Sequence, residues 1–143
     1  MYVIIKGERT AHNLGLLVEV KNMKIGYARV STFEQKLESQ IEVLKEAGAE
    51  EVFQEKFTGT TVERPQFNLV LKKLENGDTL IVTKLDRLAR NTREVLEIVQ
   101  SLFNRGIKVH ILNIGLIDNT PTGQLIFTIF SAFAQFERDL IVT

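Results

Sequence analysis

Short apolar runs of strand character alternate with longer runs of helical period along most of the chain. Four runs have the β-branched and aromatic content of strands, namely Lys24–Val30, Glu51–Glu55, Thr79–Thr83 and Lys108–Asn113. Alternation of strands with helices is typical of an α/β fold whose central sheet is mostly parallel. The pattern therefore predicts a mostly parallel sheet with flanking helices, beginning at Met23.

Three segments between these runs repeat apolar residues at spacings of three and four, as one buried helix face requires. They are Glu34–Ala47, Pro65–Leu74 and Thr92–Phe103. Each is followed by a glycine that suits a helix C-terminus, and Pro65 suits the first position of its own helix. We predict three amphipathic helices that cover the sheet.

The segment from about Thr122 to Thr143 is apolar on more than one side. The residues that produce this pattern are Leu125, Ile126, Phe127, Ile129, Phe130, Phe133 and Phe136. One sheet face cannot bury all of them, so such a helix is either central to a large core or shared with another subunit. In a chain of 143 residues, we expect a long C-terminal apolar helix through which the protein oligomerises.

Composition narrows the classes of function. Eighteen basic residues balance eighteen acidic ones, so contact with DNA would need a local basic cluster rather than an overall positive field. The chain has no cysteine, which excludes disulfides and thiolate chemistry and favours a cytoplasmic location. Its longest uncharged stretch, Asn119–Phe136, is too short and too polar for a membrane span, so we expect no membrane partner.

Residues 1–22 are the part whose structure the pattern defines least. Polar and charged residues interrupt their apolar positions, which argues against a signal peptide. Val3–Ile5 and Leu14–Val20 form an extra strand pair in one interpretation. In the other, the segment is a disordered or over-extended stretch upstream of a true start at Met23. We treat residues 1–22 as an N-terminal extension of uncertain order.

Candidate chemistry begins at the end of the first strong strand. Tyr27, Arg29 and Ser31 alternate with smaller residues, so their side chains share one face if the strand reaches Ser31. Ligands of open parallel sheets bind beyond the carboxyl ends of the strands, where this face would present an arginine and a serine. The alternative is that Ser31 only caps the following helix.

A second cluster, Lys84–Asn91, follows the strand Thr79–Thr83 directly. Arg87 and Arg90 share a face if the backbone is helical there, and two guanidinium groups on one face suit a phosphate. The alternative is a solvated charged turn in which Asp86 pairs with an arginine.

Arg64 lies in a third loop between a strand and a helix, where its alternative role is that of an exposed cation. Convergence of arginines from three carboxyl-end loops favours a phosphate site. The two histidines are poorly placed to activate a serine, because His12 lies in the extension and His110 falls inside a strand. With no cysteine and no aspartate and histidine residues at metal-ligand spacing, we favour stabilisation of a phosphoryl transition state by arginines.

These residues, taken together, resemble a known family. The run Gly26–Thr32, followed by Gln35 and Gln40, is similar to the active-site signature of the small serine recombinases, the resolvases and invertases. Asp86–Arg90 resembles the family's second motif. Other residues that agree in order and spacing are Arg64, Lys73, Gln135, Phe136, Glu137 and Arg138. The resemblance covers Met23 to the C-terminus.

The resemblance implies a resolvase-like catalytic domain over residues 23–143, in which Ser31 attacks a DNA phosphodiester and forms a 5′-phosphoserine link. It implies that neither ATP nor a metal cofactor is needed. Arg29, Arg87 and Arg90 would surround the phosphate, with Arg64 completing the charge cluster. Asp86 would either orient an arginine or handle the leaving-group proton.

The resemblance also implies supporting roles and partners. The positions around the site or the subunit contact would be Tyr27, Gln35, Gln40, Lys73, Glu137 and Arg138. The partners would be double-stranded DNA and further copies of the chain, in a homodimer and a synaptic homotetramer held by the C-terminal helix. Resemblance to bacterial recombinases adds nucleoid association to the cytoplasmic location.

The chain departs from the family pattern at three points. Glu55 stands where resolvases often have aspartate, and residues 1–22 have no usual counterpart. The chain also stops inside the C-terminal helix, so we expect an isolated catalytic fragment without its DNA-reading domain. Two other hypotheses remain from the residues alone. They are a non-catalytic α/β module that binds a phosphate or nucleotide, and a domain whose only task is oligomerisation.

Overall fold

A computed structural model describes residues 2–5, 17–20, 22–31, 37–57, 63–89 and 92–141. The strands are β1 (Tyr2–Ile5), β2 (Leu17–Val20), β3 (Lys24–Ser31), β4 (Glu51–Phe57), β5 (Thr79–Val82), β6 (Lys108–Ile111) and β7 (Gly115–Ile117). The helices are α1 (Leu37–Glu46), α2 (Pro65–Lys73), α3 (Thr92–Asn104) and α4 (Pro121–Ile141), and Leu85–Arg87 form a short 3-10 helix.

Five of the strands form one sheet in the order β4-β3-β5-β6-β7. The first four are parallel and β7 runs antiparallel to β6, so the predicted mostly parallel sheet with flanking helices is confirmed. The sequence pattern missed β7, because a strand of 3 residues is too short to show a period. A tight turn, in which Ile114 N donates to Ile111 O, joins it to β6.

A second, two-stranded sheet pairs β1 with β2 in parallel, from Tyr2 opposite Leu17 to Ile5 opposite Val20. Both strands lie at the places that the strand-pair interpretation of residues 1–22 named. The side chains of both strands, and the helix start expected at Glu34, lie outside the described residues.

The helices divide between the two faces of the five-stranded sheet. The larger core contains buried residues of α2 and α3 beneath Ile25 and Tyr27 of β3, and α4 packs against it through Phe127 and neighbouring residues. On the other face, α1 packs on β3 through Leu44, whose side chain is fully buried beside Ala28.

Gly26 controls how closely α1 approaches the sheet. A Cβ atom at this position would lie 3.1 Å from the Ala49 Cβ and 3.3 Å from the Leu44 Cβ. Any other residue here would press on the helix at a distance closer than most Cβ contacts, so glycine allows the close approach.

Helix α4 presents one apolar face to the core and leaves another uncovered. The rings of Phe103 and Phe127 stack with centroids 5.9 Å apart, which joins α3 to α4. On the uncovered face, Leu125, Ile129, Phe133, Phe136 and Leu140 are each more than half exposed. Nowhere in the described ranges is a helix both long enough and apolar enough to cross a membrane.

Candidate active site

The chain order creates a crevice at the carboxyl end of β3. From β3 the chain moves to β4 on one side, and it later returns to β5 on the other. In open α/β sheets, ligands bind outside the strand ends at such a change of direction. β3 pairs with β4 from Ile25 to Ser31 but with β5 only from Lys24 to Gly26, so its last residues project past the end of β5.

Arg29 and Ser31 lie on this projecting part of β3. The strand reaches Ser31, whose backbone lies opposite Phe57 of β4, while the Ser31 side chain is outside the described residues. Arg29 is buried and lines a cleft of about 640 Å³, whose walls include Arg64, Phe67 and Ala89. The expectation that Tyr27 and Arg29 share a face agrees with their common position above α2.

The segment after β5 is helical over Leu85–Arg87, where it forms a 3-10 helix. Buried Leu88 and Ala89 anchor the residues that follow it. The 3-10 helix contacts β3, and Ala89 after it lines the same cleft as Arg29. The Asp86 side chain and all of Arg90 lie outside the described residues, as does Gln35, so their predicted roles stay predictions.

The Arg64 side chain extends from the amino end of α2 to that 3-10 turn, and its guanidinium N–H groups donate to other groups of the protein. Its Nη2 donates to Arg87 O at 3.0 Å and its Nη1 donates to Leu88 O. Its Nε lies 3.4 Å from the Tyr27 hydroxyl, and its guanidinium carbon lies 4.0 Å from the centre of the Phe67 ring. The alternative of an exposed loop cation is therefore wrong, because Arg64 holds the backbone of the turn that carries Arg87.

Glu55 connects Tyr27 to the start of α2. Its Oε1 accepts from the Tyr27 hydroxyl at 3.0 Å, and its carboxylate also accepts from the backbone N–H groups of Gln66 and Phe67, at 3.0 and 3.3 Å. Arg64 is the N-cap residue of α2 and makes no capping bond with its side chain, so Glu55 supplies the acceptor from a neighbouring strand.

The central position of Glu55 was missed from the sequence, where it was noted only as a departure from aspartate. The alternation of side chains along β4 could have identified it. Glu55 is two residues after Phe53, so both side chains lie on the inward face of this strand.

The Tyr27 side chain is fully buried, and its hydroxyl donates a hydrogen bond to Glu55. Burial raises the pKa of Tyr27 to about 12, although the nearby Arg64 cation acts in the opposite direction. The phenol therefore stays protonated at neutral pH. Its ring packs against Phe67 with centroids 4.9 Å apart, which fixes the hydroxyl between Glu55 and Arg64.

Gln40 contacts the backbone of Arg29 from α1. Its Oε1 accepts from Arg29 N at 3.1 Å, and its Nε2 donates to Arg29 O at 3.4 Å. Gln40, which was predicted to support the site, thus contacts the backbone of a candidate site residue that no sequence pattern marks as its partner.

Lys73 lies at the opposite end of α2 from this site. Its Nζ is 2.6 Å from Glu51 Oε2 at the amino end of β4, and the two side chains are each 37% exposed. The structure therefore does not bring Lys73 to the crevice. Glu137 and Arg138 lie on α4, and their side chains are outside the described residues.

The two histidines differ in what the structure describes of them. His110 is half-buried within β6, as expected, and burial lowers its pKa, with a further lowering from the Lys24 charge. A histidine with a lowered pKa is neutral at physiological pH. His12 lies outside the described residues.

Comparisons with known proteins agree with this arrangement. Residues 24–143 match the family described as Resolvase, N terminal domain. The Transposon Tn552 DNA-invertase BinR of Staphylococcus aureus is 43% identical over 122 residues, covering 84% of this chain and 64% of that protein. The DNA-invertase of Escherichia phage P1 is 44% identical over 120 residues, with coverage of 84% and 64%.

A solved structure is also similar. A resolvase family site-specific recombinase from Streptococcus pneumoniae matches with a TM-score of 0.63 at 28% identity, covering 85% of this chain and 91% of that one. The chain spans 64% of the length of the two invertases named above.

Proposed function

This chain belongs to the resolvase family, whose N-terminal domain its residues 24–143 match, and we propose that it performs the DNA cleavage and rejoining of a serine site-specific recombinase. The observation that supports this most directly is the crevice. There, the end of β3 with Arg29 and Ser31 projects past β5, beside the turn that carries Arg87.

In the proposed reaction, the Ser31 oxygen attacks the phosphorus of a DNA phosphodiester. The bond from phosphorus to the 3′ oxygen breaks, and a 5′-phosphoserine bond forms in its place. The proton leaves the serine, and the departing 3′ oxygen gains one. Asp86 either handles that proton or orients an arginine. Reversal of the same exchange rejoins the strand, because the energy of the broken bond is kept in the phosphoserine.

Guanidinium groups supply the electrostatic part of this mechanism. A phosphoryl transition state carries charge on its non-bridging oxygens, which positioned cations stabilise. Buried Arg29 and the turn with Arg87 lie at the crevice, and Arg90 follows that turn. Arg64 adds positive charge to the same region while it holds the turn through Arg87 O and Leu88 O.

The proposed partners are double-stranded DNA, contacted through its phosphates, and further copies of this chain. The uncovered apolar face of α4 supports the second, because exposed apolar stripes of this kind mark subunit interfaces. We propose a homodimer, and a homotetramer when two DNA sites are paired, in a cytoplasmic location associated with the nucleoid.

Trapping of the covalent intermediate tests this function. The full-length protein is offered a nicked suicide DNA built from its recombination site, and the adduct is mapped by mass spectrometry. We expect a phosphoserine link at Ser31 that is abolished in Ser31→Ala and retained in Ser101→Ala, a matched change at an exposed serine of α3. An adduct that survives Ser31→Ala would refute the assignment.

A further inference from the structure

The strand that carries the candidate nucleophile has different neighbours on its two sides. Hydrogen-bonding directions alternate along a parallel strand, so successive residues point to opposite neighbours. Lys24 O accepts from Glu50 N on the β4 side, and Met23 O accepts from Thr79 N on the β5 side. Odd-numbered residues of β3 therefore direct their N–H and C=O groups toward β5.

Arg29 is one of these odd-numbered residues, but β5 does not extend alongside it. The pairing of β3 with β5 ends at Gly26, opposite Ile81, and β5 itself ends at Val82. The N–H and C=O groups of Arg29 thus point to a place where the sheet has no strand. A buried backbone group without a partner is costly, so this position needs another donor and another acceptor.

The Gln40 carboxamide fills this place. It combines one acceptor with N–H donors, as a peptide group does, and it bonds to both Arg29 N and Arg29 O. Gln40 is itself buried, with 8% of its surface exposed, so water does not readily replace it.

The position of α1 makes this contact possible. Leu44, one helical turn after Gln40, is fully buried and anchors the helix on β3. The absence of a side chain at Gly26 lets the helix approach closely. The helix therefore stands near enough for a glutamine side chain to reach the strand backbone.

We propose that Gln40 is a positioning residue whose carboxamide replaces the missing strand beside Arg29 and so fixes the segment that ends in Ser31. This inference rests on the proposed function for its catalytic meaning. The contact itself does not depend on it. Loss of the carboxamide should free the end of β3 and misplace both Arg29 and Ser31 without unfolding the sheet.

Hydrogen exchange of the chain without DNA tests the contact. Gln40→Met keeps the length of the side chain but has neither the amide donor nor its oxygen. We expect the Arg29 amide to exchange roughly tenfold faster in this variant. The amides of Ala28 and Val30, which point toward β4, should be unchanged and serve as the internal control for folding. Unchanged exchange at Arg29 would overturn the proposal.

The catalytic part is tested with Gln40→Glu. An ionised carboxylate accepts from Arg29 N but repels Arg29 O, whereas a protonated carboxyl group donates to that oxygen and restores both bonds. We expect the cleavage rate of Gln40→Glu, relative to the unaltered protein, to rise several-fold as the pH falls from about 7 toward about 5. The same ratio for Gln40→Met should stay low and flat.

A flat ratio for Gln40→Glu, or an unaltered cleavage rate in Gln40→Met, would overturn the positioning role. Failure of the proposed function is distinguishable from both results, because it would appear as an adduct that survives Ser31→Ala. The exchange measurement uses no DNA and is independent of that outcome.

Discussion

At each end of α2, a basic side chain lies near a glutamate of β4. The two ends differ in how deeply these side chains are buried and in how many hydrogen bonds they make. At the carboxyl end, Lys73 and Glu51 form one ion pair, with both side chains 37% exposed. At the amino end, Glu55 is 4% exposed and accepts three hydrogen bonds, while Arg64 holds the Arg87 turn. Similar residue types thus act as a surface pair at one end and as a buried framework at the other.

This difference agrees with the position of the candidate site at the amino end of α2. A half-exposed pair is screened by solvent and contributes little to stability. A buried carboxylate with several donors fixes the groups around it, because each donor would otherwise be unsatisfied. We therefore expect substitutions at the amino end to affect both folding and cleavage, and substitutions at the carboxyl end to affect neither strongly.

The largest effect is expected for Glu55→Leu, which keeps the approximate volume but removes every acceptor. The Tyr27 hydroxyl and the N–H groups of Gln66 and Phe67 lose their partner, at a cost of about 3 kcal/mol in the free energy of unfolding. Urea unfolding measures this change. Glu51→Leu is the matched control and should cost less than about 1 kcal/mol. Equal losses at the two positions would contradict the comparison.

The next effect concerns Arg64→Lys, which keeps the charge but loses the planar fork that reaches two carbonyls. We expect a cleavage rate lowered at least tenfold, with a loss of about 1 to 2 kcal/mol in stability. Exchange of amides in the 84–89 segment should rise. Wild-type cleavage in this variant would show that charge alone suffices at Arg64.

A smaller effect is expected for Tyr27→Phe, which removes one of the three donors to Glu55 and costs about 1 kcal/mol near neutral pH. The folded-state pKa of Tyr27, about 12, lies above the pKa of 10.0 of an unburied tyrosine. Between these values the unfolded chain releases the proton first, so stability should fall as the pH rises through that window.

Urea unfolding at stepwise increasing pH above 9 checks this slope. The fall in stability due to Tyr27 should be absent in Tyr27→Phe. A variant that loses stability with pH as steeply as the unaltered chain would refute the assignment of the slope to Tyr27.

The smallest effect is expected for Lys73→Met, which breaks the exposed pair with Glu51 and keeps the aliphatic part of the side chain. Stability should change by less than about 0.5 kcal/mol, and cleavage on a single site should be unaltered. Arg64→Met is the matched substitution at the other end. A strong cleavage defect in Lys73→Met would mean that the two ends are coupled.

The strands and helices that bury one face could be predicted from the sequence, because the spacing of their apolar residues follows from that burial. Convergence of Arg29, Arg64 and Arg87 near one sheet edge followed from parallel topology alone. The direction in which each guanidinium group points could not be predicted. Arg64, for example, donates to backbone carbonyls that no sequence pattern marks.

Contacts between distant elements were the part that the sequence did not predict. Gln40 and Arg29 lie on different elements, and their bonds depend on how closely α1 approaches β3. Lys73 was expected around the site or the subunit contact. The 9 residues of α2 carry it about 13 Å away from the amino end of that helix, and its place at a subunit contact stays a prediction.

The glycine beneath α1 has a consequence for protein engineering. Glycine weakens a strand, so a search for stabilising substitutions would readily select Gly26→Ala. The added methyl group would meet the Leu44 Cβ of α1 at 3.3 Å, so the helix would have to shift by a few tenths of an ångström. The bond from Gln40 Nε2 to Arg29 O is already 3.4 Å long and has little tolerance for that shift. A Gly26→Ala variant that keeps its thermal stability because its neighbours yield is therefore still expected to lose recombination activity.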